Sequence, residues 1–529
     1  MNNPSEMDRS MQNSKLCIAL AVAGLIAVQP VQAGEREELE SLRQTTLAII
    51  DALVEKGILD KEAAEAMVKQ AEAKGREQAE AVARADAGVV RVPYIPEVVK
   101  REIREQIRQE VVAQARTERW GDVNAVPEWV SRIKLEGDFR LRYQNDLFAS
   151  GNASGNDFVD TPYGLGSTDS PINTAEDRKR GRIRARLGLL AKLTDTVSTG
   201  FRITTGNTSD PVSTNQTLGN SFNKNSLVLD RAYAKVEPSD WLSVSGGRIP
   251  NPFFSTDLVW DDDLNFDGIA ATFKPWPQAV MDAKPFITFG AFPLQEVETS
   301  NTNLAKDKWL FATQAGLDWH SGAFSRWRFG LAYYDYSNIR AVADPTVDGL
   351  YDYANSILSY RQKGNTVFEV APTDAAGRYG LASDYRLANL TAMADFSHFD
   401  PLHVILSADV VKNLGYKLSD DARTQLGSDY KERTLGWQAK VTVGKPSIEL
   451  PGDWQVYLGY RHLERDAVLD AFADSDFRLG GTNSKGYYLG GSYGVDRNAW
   501  LSAKWLSADQ IDGPALGVDV LQVDFNAKF

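Results

Sequence analysis

The chain has 529 residues, 24% of them charged, a formal net charge of −13 and a mean hydropathy of −0.34. That acidity is the wrong sign for a nucleic-acid binder, which carries a basic patch, and beyond the N-terminus no apolar run approaches the ~18 residues of a spanning helix. A membrane barrel is not excluded, because alternating polar and apolar residues dilute the average.

The first element is "MQNSKLCIALAVAGLIAVQPVQAGE", with Lys15, an apolar run from Leu16 to Val28, and Ala33 before Gly34. It has the form of a secretory signal peptide over residues 1–33, too short for an anchor. Met7 or Met11 offers an alternative start. Cys17, the only cysteine, opens the apolar run and would leave with the signal. The mature chain would then have neither a disulfide nor a thiol nucleophile.

Residues 34–128 read as a helical periplasmic segment. Leu39, Leu42, Ile49, Ile50 and Leu53 recur at helical spacing, Gly57 interrupts, and Asp60 can cap a second helix. Val99, Ile103, Ile107 and Val111 then form a narrow stripe between charged shoulders, which suits a coiled coil or docking onto a partner. The alternative is a solvated linker.

From Ser131 the period changes to two. In "RIKLEGDFRLRYQ" (132–144), Ile133, Leu135, Phe139, Leu141 and Tyr143 share one face with Gly137; Arg132, Lys134, Glu136, Asp138, Arg140 and Arg142 share the other. "GRIRARLGLLAKL" (181–193) repeats the pattern with Arg182, Arg184 and Arg186. Residues 129–529 yield about sixteen such segments, most about ten residues long, as tilted membrane strands require. Alternation stumbles at 227–237 and 241–249, leaving register open there. Connections alternate too: short at 194–196, 237–240, 320–324, 399–401 and 494–498, long at 144–180, 207–226, 293–308, 337–384, 414–431 and 465–483. Tight periplasmic turns and large external loops have this rhythm in outer-membrane barrels. Trp129, Trp241, Trp276, Trp319, Trp327, Trp454 and Trp500 sit beside the short turns, where a headgroup girdle would lie. Phe529 closes a strand whose outward face would be Leu521, Val523, Phe525 and Ala527.

If the apolar faces meet lipid, Arg132, Lys134, Arg140, Arg142, Arg182, Arg184, Arg186 and Arg202 line the lumen as a basic wall on neighbouring strands. The opposite orientation would place arginines in hydrocarbon at roughly 2–4 kcal/mol each near the midplane, which decides the sidedness. Glu136 and Asp138 share the wall and moderate its field. The four histidines, His320, His398, His403 and His462, show no metal-ligand spacing, and no hydrolase, zincin or phosphate-loop motif occurs. No reaction and no cofactor are implied.

The chain resembles the outer-membrane porin family of Gram-negative bacteria named "Putative porin". The likeness runs through "LEGDFRLRYQ", "DRKRGRIRARLGLLAKLTDTVSTGFRITTGN", "LDRAYAKVEPSDWLSVSGGRIPNPFFSTDLVWDDDLNFDGIAATF" and the C-terminal strand. It implies an all-β transmembrane barrel of about sixteen antiparallel strands with a periplasmic N-terminal extension. It also implies a passive channel for small hydrophilic solutes and a homotrimer; the arginine wall favours anionic solutes, while the net acidity and the acids at 257–267 pull the other way, so selectivity stays open. Phe529 resembles the signal read by the barrel-assembly machinery. By the same resemblance, 248–268 would be a constriction loop, with Asp257, Asp261, Asp262, Asp263 and Asp267 facing the arginines. Otherwise it is an exposed acidic hairpin holding divalent cations near lipopolysaccharide. The rival for the whole chain is an anchoring or adhesive barrel in outer-membrane lipid, its lumen plugged and loops 144–180 and 337–384 as the binding surface.

Overall fold

The structure, a computed structural model, describes residues 105, 107–109, 128–158, 172–276, 282–301, 303–344, 353–371, 378–427 and 430–529. The predicted signal peptide, and the coiled-coil segment apart from those first four residues, lie outside this set.

Sixteen strands make the wall: β1 (Ile133–Phe148), β2 (Arg178–Lys192), β3 (Val197–Thr205), β4 (Leu227–Ser239), β5 (Leu242–Pro250), β6 (Asn265–Phe273), β7 (Ala283–Gln295) and β8 (Lys308–His320). They continue with β9 (Ser325–Ser337), β10 (Arg386–Phe399), β11 (Leu402–Asn413), β12 (Leu435–Gly444), β13 (Trp454–Leu463), β14 (Ser484–Asp496), β15 (Ala499–Gln510) and β16 (Gly517–Lys528). Each pairs antiparallel with the next, and β16 returns to β1 in register Leu141↔Phe525, closing the barrel. Closure leaves no edge with unpaired backbone groups, as hydrocarbon demands.

The side chains sort as the period-two reading requires. Leu135 and Tyr143 on the outer face of β1 are 60% and 45% exposed, whereas Arg142 and Asp146 on its inner face are 5% and 1% exposed. Between β3 and β4 the register shifts so that Arg202 pairs with Arg231 and Ile203 with Leu229, leaving Asp230 unpaired. A second shift follows Val236. These irregularities explain the stumbling alternation, because an extra residue reverses the faces beyond it. At the closing seam, Phe529 exchanges backbone hydrogen bonds with Gly137 at 3.0 and 3.1 Å, and its ring occupies the space a Cβ there would need.

Connections 193–196, 240–241, 274–282, 321–324, 400–401, 445–453 and 497–498 lie at one end; the longer ones, with the compact 511–516, lie at the other. Exposed Trp241, Trp276 and Trp319 stand beside the short turns, while the side chain of Trp129 lies outside the description. Several long connections fold inward. In 338–385, Asn365, Thr366 and Phe368 are buried; Thr366 N–H donates to Asp466 at 2.8 Å and Asn365 to the Val468 carbonyl at 2.8 Å, joining it to 464–483.

The interior is divided. Against β5–β10, Phe266, Phe292, Leu310, Ala332 and Tyr334 pack with Phe253, Leu258 and Trp260 of connection 251–264 into one apolar cluster. Against β1–β4 the inner faces are charged, whereas Tyr488, Leu506, Ala508, Val518 and Val520 of β14–β16 form a second apolar cluster with Phe158 and Phe477, beside the charged Arg461, Lys504 and Asp524. The charged wall expected on β1–β3 therefore occupies one part of the lining, beside two apolar clusters.

Candidate functional site

Connection 251–264 begins with a turn in which Asn251 Oδ1 accepts the Phe253 N–H at 2.9 Å. Its apolar residues then anchor it: Trp260 meets Phe266 and Tyr334 edge-on at 4.9 and 5.1 Å. Polar tethers carry it across the barrel. Phe254 N–H donates to Gln314 Oε1 on β8, and Gln314 Nε2 returns to the Phe254 carbonyl, both at 2.8 Å. Thr256 donates its hydroxyl to Asp409 of β11 at 2.5 Å. Asp257 pairs with Arg461 of β13 at 2.7 Å and accepts from Gln438 of β12 at 2.8 Å.

The five acids of the segment have separate fates. Asp263 turns to β2, pairing with Arg186 at 3.2 Å and Arg184 at 3.5 Å while accepting the Thr214 hydroxyl at 2.8 Å. Asp261 accepts backbone N–H groups of Asp263 and Ser475 at 2.8 and 2.9 Å. Asp262 is exposed and makes no ion pair among the described residues. Asp257 opposes Arg461 rather than the β1–β3 arginines. Asp267 leaves the set: it lies on the outer face with Ile269, paired to Arg248 at 2.9 Å. Strand parity is the reason, since two positions from an outward Ile269 is again outward.

The predicted basic wall is an arginine–aspartate ladder. Arg140 and Arg142 lie opposite Arg184 and Arg182 in the β1–β2 register, a like-charge arrangement relieved by acids set between them. Asp138 binds Arg184 at 3.0 Å and Arg186 at 2.6 Å. Arg142 makes a two-pronged pair with Asp524 at 2.8 and 2.9 Å, tying β1 to β16, and reaches Asp476 at 3.3 Å. Arg140 donates to Asn215 at 2.6 Å, Arg182 to Gln144 at 3.2 Å, and Arg202 pairs with Asp230. Arg132 and Lys134 are exposed at the short-turn end of β1.

Connection 464–483 supplies charges the sequence reading did not single out. Asp474 pairs with Arg461 at 2.7 Å, and Asp476 lies between Arg142 and Lys504. The available signal was the apolar content of "DAVLDAFA" (466–473), too greasy for an exposed loop; Val468, Leu469, Ala471 and Ala473 are indeed buried.

Surroundings set the protonation of these loop acids. Burial, reinforced by Asp474 and Asp263, pushes Asp261 well above the usual carboxylate range. Confinement, with Asp257 and Asp474 nearby, raises Asp262 to about 6. Burial also disfavours ionised Asp263, but Arg184, Arg186 and Arg140 outweigh it and hold that carboxyl low. Among the described residues no group of three or more His, Cys, Asp and Glu is arranged to hold a metal ion.

A family model described as "Putative porin" matches residues 43–529. Similar solved structures include OprB of Pseudomonas putida at high pH, with 12% identity, 78% of this chain and 97% of that chain covered, and a TM-score of 0.44. The outer membrane channel DcaP of Acinetobacter baumannii gives 12% identity, coverage of 75% and 97%, and a TM-score of 0.40. An anion-selective porin from Comamonas acidovorans gives 10%, 75% and 99%, and 0.39. No curated protein matches.

Proposed function

The chain belongs to the "Putative porin" family, and from that premise we propose that it is a passive diffusion channel of the outer membrane for small hydrophilic solutes. One observation carries the reading: connection 251–264 is tethered inside the barrel, where it brings Asp263 into contact with Arg184 and Arg186 of the wall. A loop folded into the lumen narrows it, and a water-filled pore with charged walls selects by diameter and field rather than by tight binding. Most arginines of the ladder have acidic partners, so the net preference for anions is weaker than the arginine count implies. Residues 34–128 extend into the periplasm in this reading, and the barrel assembles with copies of itself, as a homotrimer by family resemblance.

The apolar cluster around Trp260 favours one rival, a barrel plugged for anchoring or adhesion. Recordings from purified protein in a planar bilayer separate the two. Stepwise currents are expected; a sealed membrane containing folded, heat-modifiable protein would reject the channel. In a salt gradient, Arg182/Arg184/Arg186→Ser should move the reversal potential toward cation preference, and an unmoved potential would remove those arginines from the filter.

A further inference from the structure

At the long-loop end of β1 and β2 lies a cavity of about 420 Å³, bounded by the ends of those strands and by residues 210–213, 360–363 and 475–479. Arg178, Arg180, Arg182 and Lys363 line it against only two acids, Asp146 and Asp210. Both acids are engaged. Asp146 pairs with Arg180 at 2.6 Å, and Asp210 accepts the Tyr360 hydroxyl and the Val212 N–H, each at 3.1 Å.

Arg178, Arg182 and Lys363 have no carboxylate within ion-pair distance among the described residues. The Nε atoms of Arg180 and Arg182 are buried without a partner. Beside Lys363, Arg478 is 1% exposed and spends its guanidinium on Gln510 at 2.9 Å and the Thr482 carbonyl at 2.6 Å, with no acid. Burial, together with the Arg478 charge, lowers the Lys363 ammonium to about 7. Four cations share two acids that are already engaged, and the excess positive charge favours an anionic visitor.

We propose that this cavity is a subsite for a small multivalent oxyanion of the phosphate class. Guanidinium forks and a lysine point charge match a tetrahedral oxyanion, and several cations call for more than one negative charge. The volume leaves room for hydrating water or an organic remainder. Only the onward passage of the ion rests on the channel reading; occupancy of the cavity does not.

The test therefore measures binding apart from conduction. Full-length protein folded in detergent is titrated with inorganic phosphate at constant ionic strength, followed by calorimetry, with chloride as reference. Saturable phosphate binding is expected. It should weaken about tenfold or more in Lys363→Met and, independently, in Arg182→Gln, each checked for folding by heat-modifiable mobility. Arg497→Gln, in the opposite short turn, should bind as the parent does. Phosphate binding no better than chloride, or equal in folded variants and parent, overturns the subsite. Binding without bilayer current would instead count against the channel and leave the subsite standing.

Discussion

Asp261, Asp262 and Asp263 follow one another in sequence, yet their neighbours give them three different proton affinities. Asp263 meets two arginines and stays ionised; Asp261 receives N–H groups but faces Asp474 and is pushed up. Asp262, raised to about 6, changes charge near neutrality, as does Lys363, lowered to about 7 at the long-loop end. Above about 6 Asp262 adds a negative charge to the lumen; below it the carboxyl is neutral. Acidifying from about pH 7 to 5 should therefore shift reversal potentials toward anion preference, and Asp262→Asn should flatten much of that response. An equal pH response in the folded Asn variant would assign the titration elsewhere. From sequence these acids read as one patch, because neighbours brought from β2 and connection 464–483 are separated from them by many residues. Asp267 was misplaced for a different reason: strand parity, not composition, decides its side.

At the scale of the element, connection 251–264 owes its path to a few tethers distributed over β2, β8 and β11–β13. Loss of a charge-assisted hydrogen bond is worth about 1.5–3 kcal/mol, enough to free a local segment without unfolding a closed barrel. Thr256→Val combined with Asp257→Asn removes the hydroxyl bond to Asp409 and the ion pair with Arg461, leaving only the longer backbone bond from residue 256 to Asp409. Single-channel currents should become larger and noisier; unchanged currents from a folded variant would mean that this segment does not limit the opening. The strands were legible because an arginine on every second residue of β2 cannot face hydrocarbon. The inner cluster was not, because around Asp267 β6 carries apolar residues on both faces: Phe266 and Ala270 lie inside, while Ile269 lies outside. Alternation carries no information where both sides want the same side chains. Loop length likewise left the folding of connections 338–385 and 464–483 open, and burial of Phe368, Val370 and Leu469 draws them inward.

At the scale of the whole molecule, one outward feature does not suit a barrel surrounded only by lipid. Arg248 and Asp267 form their ion pair on the outer face, three outward positions beyond the Leu242–Phe273 pair at the short-turn end. With about 3.3 Å per residue and a tilt near 40°, that is about 15 Å above the turns, inside an apolar band about 25 Å tall. A lipid-facing arginine there costs roughly 2–4 kcal/mol, only partly offset by its pair. Around it, Ala232, Gly246 and Ala291 are small outward residues that permit a neighbouring wall to approach. Contact with a second copy would remove the pair from lipid and supply polar neighbours. Arg248→Leu with Asp267→Leu should therefore leave a folded, heat-modifiable barrel while lowering the assembled mass in light scattering from detergent. Arg248→Leu alone should fold less well, because it strands a carboxylate. If the parent is already monomeric, or the double variant keeps the parent's mass, this face is not where copies meet and the pair tolerates lipid.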